Sequence, residues 1–343
     1  MLTETSPVRW GILGTGAIAE RFVQGLRAVE GAEVAAVGSR TDATAHRFAD
    51  RWEIPRRHGT HRSLAEDPEV DVVYVATPHP AHHAATLLCL EAGRHVLCEK
   101  PLALNAAQAR EMVAAARNAD RFLMEGMWTR FAPAMREIVA LVESGTIGEV
   151  TTLIADIGWR SEYDPDSRLF APALGGGALL DVGVYPIALA SVFLGEPVGI
   201  DARAVKAPSG VDSQVGLVIS GSSGAVGLLS CSIETDMPNR AVIVGTRGRI
   251  EVGEWYNPTG FVLHLPGREP REFTFPRRAN GFEYEAAAVT DLVRAGALES
   301  PLMPWEESLR IADTLDAIRA RIGVAYPGER GTPDADAAVG ARL

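Results

Sequence analysis

The residue types best suited to chemistry fall in a few short stretches. Residues 95–105 read HVLCEKPLALN, an apolar run that stops at an acid, a base and a proline: Glu99, Lys100 and Pro101. A buried parallel strand looks like this at its carboxyl end, the edge over which open α/β sheets bind ligands. Pro101 has no N–H and a fixed φ, so it halts the strand and directs the exit loop. Lys100 is thereby offered to whatever lies over the edge, although an isolated Glu-Lys-Pro is equally a solvated strand end. Further along, Asp181 and Tyr185 stand four apart in the apolar run GGGALLDVGVYP, sharing a face if the stretch is helical. Pro186 would kink that helix or begin a new one. A carboxylate and a phenol in such surroundings serve either a ligand or the local backbone.

Near the start, Gly14, Gly16 and Ala19 spell G-x-G-x-x-A, with Ala17 and Ile18 between them. The first glycine allows a tight turn, the second lets backbone approach a pyrophosphate, and the small Ala19 lets a helix pack closely on its strand. The phosphate would rest on the helix N-terminus. A second strand, residues 33–38, ends in Ser39 and Arg40. NAD sites usually carry an acid here, whereas a neutral hydroxyl and then a cation suit a 2′-phosphate. A third strand ends in Thr77, Pro78 and His79, with His82 and His83 following. These histidines have no accompanying carboxylate or cysteine cluster, so no metal site is expected. His82 reads as a cap or packing group, and His79 as a neighbour of nicotinamide or substrate.

The elements that must position these residues alternate strand and helix through residue 125, a doubly wound pattern. Helices are expected at 42–52, from Ser63, at 84–92 and, capped by Asn105, to about residue 118. The segment FLMEGMWTRFAP carries the chain across a boundary near Gly126. A helix over 135–144 follows, then eight strands with clear alternation between 150 and 275 and helices at 282–295 and 305–322. The fold expected is α/β: an N-terminal Rossmann parallel sheet, residues 1–125, and a C-terminal α+β domain, 126–327, with a large open, mostly antiparallel sheet. Residues 328–343 are Gly-, Asp- and Ala-rich and read as disordered.

The chain has 343 residues, 47% hydrophobic and 22% charged, the composition of an ordinary globular protein. A net charge of −11 with no basic stripe argues against nucleic acid as a partner. The apolar stretch 178–195 is interrupted by Asp181 and Pro186, so no membrane span is expected. Cysteines 89, 98 and 231 share no metal spacing and suit a reduced cytoplasmic setting. A long antiparallel sheet with a second apolar face suggests a homodimer through that sheet.

Taken in order, the turn at Gly14, Gly16 and Ala19, the Glu-Lys-Pro at 99–101 and the glycine-rich element at 175–185 resemble the glucose-fructose oxidoreductase / inositol dehydrogenase (Gfo/Idh/MocA) family over residues 8–327. Within it, HPAHH, CEKPLALNAAQAREMV and GGALLDVGVY are similar to the branch of dimeric dihydrodiol dehydrogenases and NADP-dependent D-xylose dehydrogenases. There Tyr stands, as Tyr185 does here, where many members carry His; at His79 most members carry Asn.

The resemblance implies NADP(H) as cofactor and hydride transfer between nicotinamide C4 and a hydroxyl-bearing carbon of a sugar, polyol or dihydrodiol. Such a reaction needs a positioned acid/base, work the resemblance assigns to Lys100 and Tyr185. Tyr and Lys both titrate near 10 in isolation, and setting them together brings one toward working pH. Tyr185 is taken as proton donor/acceptor, Lys100 as its tuner and substrate anchor, with the swapped roles open. Asp181 would bond a substrate hydroxyl or hold Lys100, and Trp128, Arg130, Trp159 and Arg168 would line the pocket. The cofactor set expected is Gly14, Gly16, Ala17, Ile18, Ala19, Ser39, Arg40, Thr77, Pro78, His79, His82, Glu99, Lys100 and Pro101. A different class of protein, a non-catalytic NADP(H)-binding sensor or co-regulator of the same fold, is the alternative.

Overall fold

The computed structural model describes residues 6–329, so the expected disordered tail lies almost wholly outside them. In chain order the first elements are β1 (Val8–Leu13), α1 (Ala17–Leu26), β2 (Ala32–Gly38), α2 (Asp42–Trp52), β3 (Arg56–His58), α3 (His61–Ala65), β4 (Val72–Val75), α4 (His82–Glu91), β5 (His95–Glu99), α5 (Ala106–Ala119), β6 (Leu123–Gly126) and α6 (Pro133–Glu143). Then come β7 (Val150–Gly158), α7 (Val184–Leu194), β8 (Pro197–Lys206), β9 (Asp212–Gly221), β10 (Val226–Ser232), β11 (Arg240–Gly245), β12 (Gly248–Gly253), β13 (Gly260–His264), β14 (Arg271–Thr274), α8 (Phe282–Arg294) and α9 (Trp305–Ile322). Two compact units divide the chain. One comprises Met1–Ser144, Asn257–Val262 and Pro270–Leu309, the other Gly145–Tyr256, Leu263–Glu269 and Arg310–Leu343.

The first unit holds a six-stranded parallel sheet of order β3-β2-β1-β4-β5-β6. Winding reverses between β1 and β4, the switch point at which such sheets bind nucleotides. The central strands are buried on both faces, β4 reading Val-Val-Tyr-Val throughout. Amphipathic α1 lays Ala19, Phe22, Val23 and Leu26 onto the sheet. Asn105 caps α5 by accepting the Gln108 N–H, as the sequence predicts. The helix expected from Ser63 begins a turn earlier: Thr60 is its cap, and Ser63 is the residue whose N–H that cap accepts. Sequence periodicity does not announce β3, a three-residue edge strand of Arg, Arg and His. Asp67 holds it, accepting Arg56 at 2.6 and 2.7 Å and lying 2.8 Å from His58 Nε2.

The second sheet has eight strands in the order β14-β13-β12-β11-β7-β10-β9-β8. β7 pairs with β10 in parallel and with β11 antiparallel, and β9 runs antiparallel to both β8 and β10. Alternation sends Leu153, Ala155 and Ile157, with Val215, Leu217, Ile219, Leu229 and Cys231, into the core. That face receives α7, which is apolar all round and nearly wholly buried. The apolar stretch Pro172–Leu194 is long enough to cross a membrane, but 89% of its most apolar 18-residue window is buried inside the protein, so it belongs to the core.

Candidate active site

In the first unit the turn after β1 is shaped for a phosphate. Gly14 has φ +121°, and a Cβ there would sit 2.5 Å from the Ala76 carbonyl oxygen, so only glycine fits. A Cβ at Gly16 would meet nothing within 4 Å, which leaves the outer flank of the turn open. No side chain caps α1, so its first-turn N–H groups face that space without a side-chain acceptor. Ala17 is exposed, Ile18 half-buried and Ala19 fully buried. After β2, Ser39 is buried with its hydroxyl 2.6 Å from that of Thr44, while Arg40 is exposed. After β4, the Thr77 hydroxyl is buried and has no partner among the described residues. Open flank, uncapped helix, exposed guanidinium and orphaned hydroxyl all border the carboxyl edge of one sheet, which fits a dinucleotide.

Lys100, half-buried, leaves the same edge at the end of β5. In the sheet order β5 lies two strands from β1, about 10 Å at the usual interstrand spacing. The Glu99 carboxylate turns inward, taking the Tyr74 hydroxyl and, through Oε2 at 3.1 Å, the Lys100 N–H. The Lys100–Pro101 peptide is cis. His82 is fully buried, with Nδ1 2.8 Å from the Pro101 carbonyl and Nε2 2.8 Å from that of Thr77, tying the two exit loops together. Burial holds its imidazole below the ordinary value and the Lys100 charge adds to this, against the pull of both carbonyls. Pro78 is exposed, and the half-buried His79 presents its ring edge to His82 at 5.7 Å.

Two residues placed in the pocket by the sequence make scaffold contacts within this unit. Trp128 is buried and stacks on Phe282 at 4.5 Å, and Arg130 is paired with Glu307. Sequence reasoning missed three buried acids and phenols here: Tyr74, Glu125 and Glu285. Tyr74 stands inside the apolar strand Val-Val-Tyr-Val, a signal that would have found it, whereas the burial of the two acids shows only in the packing. Burial pushes the Glu285 carboxyl well above its ordinary value.

In the second unit, the element holding Asp181 and Tyr185 is not one regular helix. Leu179–Gly183 is a π-helical turn, and α7 begins at Val184. Pro186 cannot donate to a carbonyl one turn back, and the wider turn stands just before it. The π-turn's start is pinned by Asp212, whose Oδ2 accepts the Leu179 N–H at 2.6 Å. Gly177 has φ +123°, and a Cβ there would lie 2.5 Å from Asp212 Oδ1. Burial pushes Asp212 up to about 6, against the Leu179 N–H. Asp181 is buried and its Oδ1 accepts Arg168 Nη1 at 2.8 Å, which joins two sequence-named residues across a loop. Tyr185 is half-buried. Trp159 is exposed, edge-on to Tyr256 at 5.0 Å. Among the described residues no group of three or more His, Cys, Asp or Glu could hold a metal.

Comparison with known proteins agrees with this geometry. Residues 8–127 match the model of an oxidoreductase family with an NAD-binding Rossmann fold, and residues 135–251 match a GFO/IDH/MocA C-terminal domain. Trans-1,2-dihydrobenzene-1,2-diol dehydrogenase of Mus musculus is 38% identical over 335 residues, 94% of this chain and 99% of the relative. KijD10, a 3-ketoreductase from Actinomadura kijaniata solved with NADP and TDP-benzene, superposes with a TM-score of 0.83 at 29% identity, covering 92% of this chain and 98% of that one. An aldose-aldose oxidoreductase from Caulobacter crescentus gives 0.84 at 28% identity, covering 92% and 97%. The parallel sheet with its glycine turn, the mixed second sheet and matches over both halves show that the chain is an enzyme of the Gfo/Idh/MocA oxidoreductase family.

Proposed function

We propose that the protein moves a hydride between NADP(H) and the hydroxyl-bearing carbon of a vicinal diol or sugar-like polyol. The observation that carries this reading is Lys100, fixed at the sheet edge two strands from the dinucleotide turn. The turn at Gly14 and Gly16 would hold the pyrophosphate, with the small Ala19 letting α1 pack close behind it, Thr77 would bond the cofactor's far half, and Arg40 the 2′-phosphate. When bound, the nicotinamide supplies the hydride acceptor at C4.

The alcohol O–H proton must leave as its C–H hydride does, and Tyr185 takes it. Lys100 donates a hydrogen bond to the same substrate oxygen, favouring its deprotonated form. Asp181, oriented by Arg168, accepts from the neighbouring hydroxyl of the diol. A second hydroxyl is what a buried acceptor of this kind discriminates for. Trp159 offers an exposed ring against an apolar substrate face, in keeping with the dihydrobenzenediol substrate named for the mouse relative.

The protein is further proposed to be a cytoplasmic homodimer. Its three cysteines are free and buried, which suits a reducing compartment. On the outer face of the second sheet, Ile154 lies in register with Leu228 and Leu228 with Val218, a row of apolar side chains each more than 40% exposed.

Substituting Lys100→Met tests the reading. NADPH binding should stay within a few-fold while turnover falls at least about 100-fold, the range of lost acid/base assistance. Tyr185→Phe should behave alike. Turnover that survives in Lys100→Met would overturn the assignment, and NADPH binding without turnover on any diol or sugar would favour the sensor class.

A further inference from the structure

The turn that presents Lys100 is gripped from within by three buried side chains. Glu99 takes the Lys100 N–H, His82 bonds the Pro101 carbonyl, and Glu125 Oε1 accepts the Leu102 N–H at 2.9 Å. Glu125 comes from β6, next to β5 in the sheet, and is 2% exposed. Its other oxygen, Oε2, has no hydrogen-bond partner among the described residues. An acid in the midst of a buried strand is costly unless something uses it. We propose that Glu125 is a positioning residue for Lys100: through the Leu102 N–H, the charge on its carboxylate sets how firmly the Lys100–Leu102 turn is held.

The surroundings make that charge responsive. Burial raises the Glu125 carboxyl to about 7, against the Ser308 hydroxyl, the Leu102 N–H and the Arg130 guanidinium, while Glu307 pushes it further up. Cys98, on β5, also feels the Glu125 charge, and its own thiol is pushed well above its ordinary value by burial. Arg130 is paired with Glu307, so its charge is shared rather than given wholly to Glu125. Around neutral pH the carboxylate therefore changes from a neutral to a charged acceptor. A charged acceptor forms the shorter and stronger bond to the backbone N–H.

The inference rests on the reading of Lys100 given above, and its test separates the two. Glu125→Gln keeps an oxygen for the Leu102 N–H but cannot ionise; Glu125→Ala removes the acceptor. For the diol or sugar on which the wild type turns over, the ratio of wild-type to Glu125→Gln kcat should rise from about 1 at pH 5.5 to about tenfold at pH 8.5, with KM and NADPH affinity within twofold. Such a tenfold range corresponds to losing one charge-assisted hydrogen bond. Glu125→Ala should fall below Glu125→Gln at every pH. A ratio constant with pH, or wild-type kcat in Glu125→Ala, would overturn the proposal.

The second arm needs no turnover. In selectively 15N-leucine-labelled protein the Leu102 amide should shift with a midpoint near pH 7 and become flat in Glu125→Gln. A Leu102 resonance flat in the wild type would overturn the role of Glu125, whereas loss of turnover dependence on Lys100 would strike only the reading of that residue.

Discussion

A guanidinium following a neutral hydroxyl at the end of β2 meets a 2′-phosphate with a permanent charge and a planar fork of donors. Arg40 is exposed and Ser39 is tied to Thr44, so the cation is the group left facing outward. Arg40→Ala should weaken NADPH binding about tenfold or more, as loss of a charged hydrogen bond does, and leave NADH within twofold. Fluorescence titration with the two coenzymes decides it, and equal weakening of both would contradict the contact. That Arg40 and the Glu-Lys-Pro stretch stand at strand ends was legible because an apolar run breaks off at each, and residue type changes sharply there. The Arg168–Asp181 bond was not legible, since a loop without periodicity separates its partners. Glu125 escaped for another reason: alternation assigns an acid in a short strand to a solvent face, and only the packing of β6 between β5 and its covering elements shows it buried.

Longer segments divide in the same way. Strands of the second sheet alternate cleanly and could be placed from sequence, whereas β3 and the π-turn could not. A three-residue edge strand has too few positions to show a period, and its stability comes from Asp67. The Asp67 carboxyl is held down at about 2: burial raises it, but the Arg56 guanidinium, the Glu69 N–H and His58 together outweigh burial. A carboxylate lowered from 3.8 contributes stability above pH 4 that is lost as pH falls toward 2. Asp67→Asn should therefore cost about 2 kcal/mol in urea unfolding at pH 7, with the gap to wild type narrowing between pH 4 and 2. A gap independent of pH would remove the ion pair from the account. On the outer face of the second sheet, Leu228→Lys places a charge in the middle of the apolar row. Light scattering should show dimer converted to monomer with melting temperature little changed; a wild-type monomer would refute the proposed interface.

For the protein taken together, the family assignment leaves substrate and coenzyme to be decided by loops and by a few charges, because fold does not dictate chemistry. Saturating NADPH should slow hydrogen exchange at residues 14–19, 39–44 and 77–82, the ends of β1, β2 and β4, and leave the outer face of the second sheet unchanged. Protection confined to that sheet would contradict the placement of the dinucleotide. The most direct measurement is NADPH formation by the purified protein with NADP, then with NAD, across trans-dihydrobenzenediol, aldoses, inositols and anhydrosugars, in wild type and Lys100→Met. The account predicts NADP-dependent oxidation of a substrate with adjacent hydroxyls, NADP being reduced to NADPH, with this turnover abolished in Lys100→Met. Turnover that prefers NAD, or that survives loss of Lys100, would contradict it.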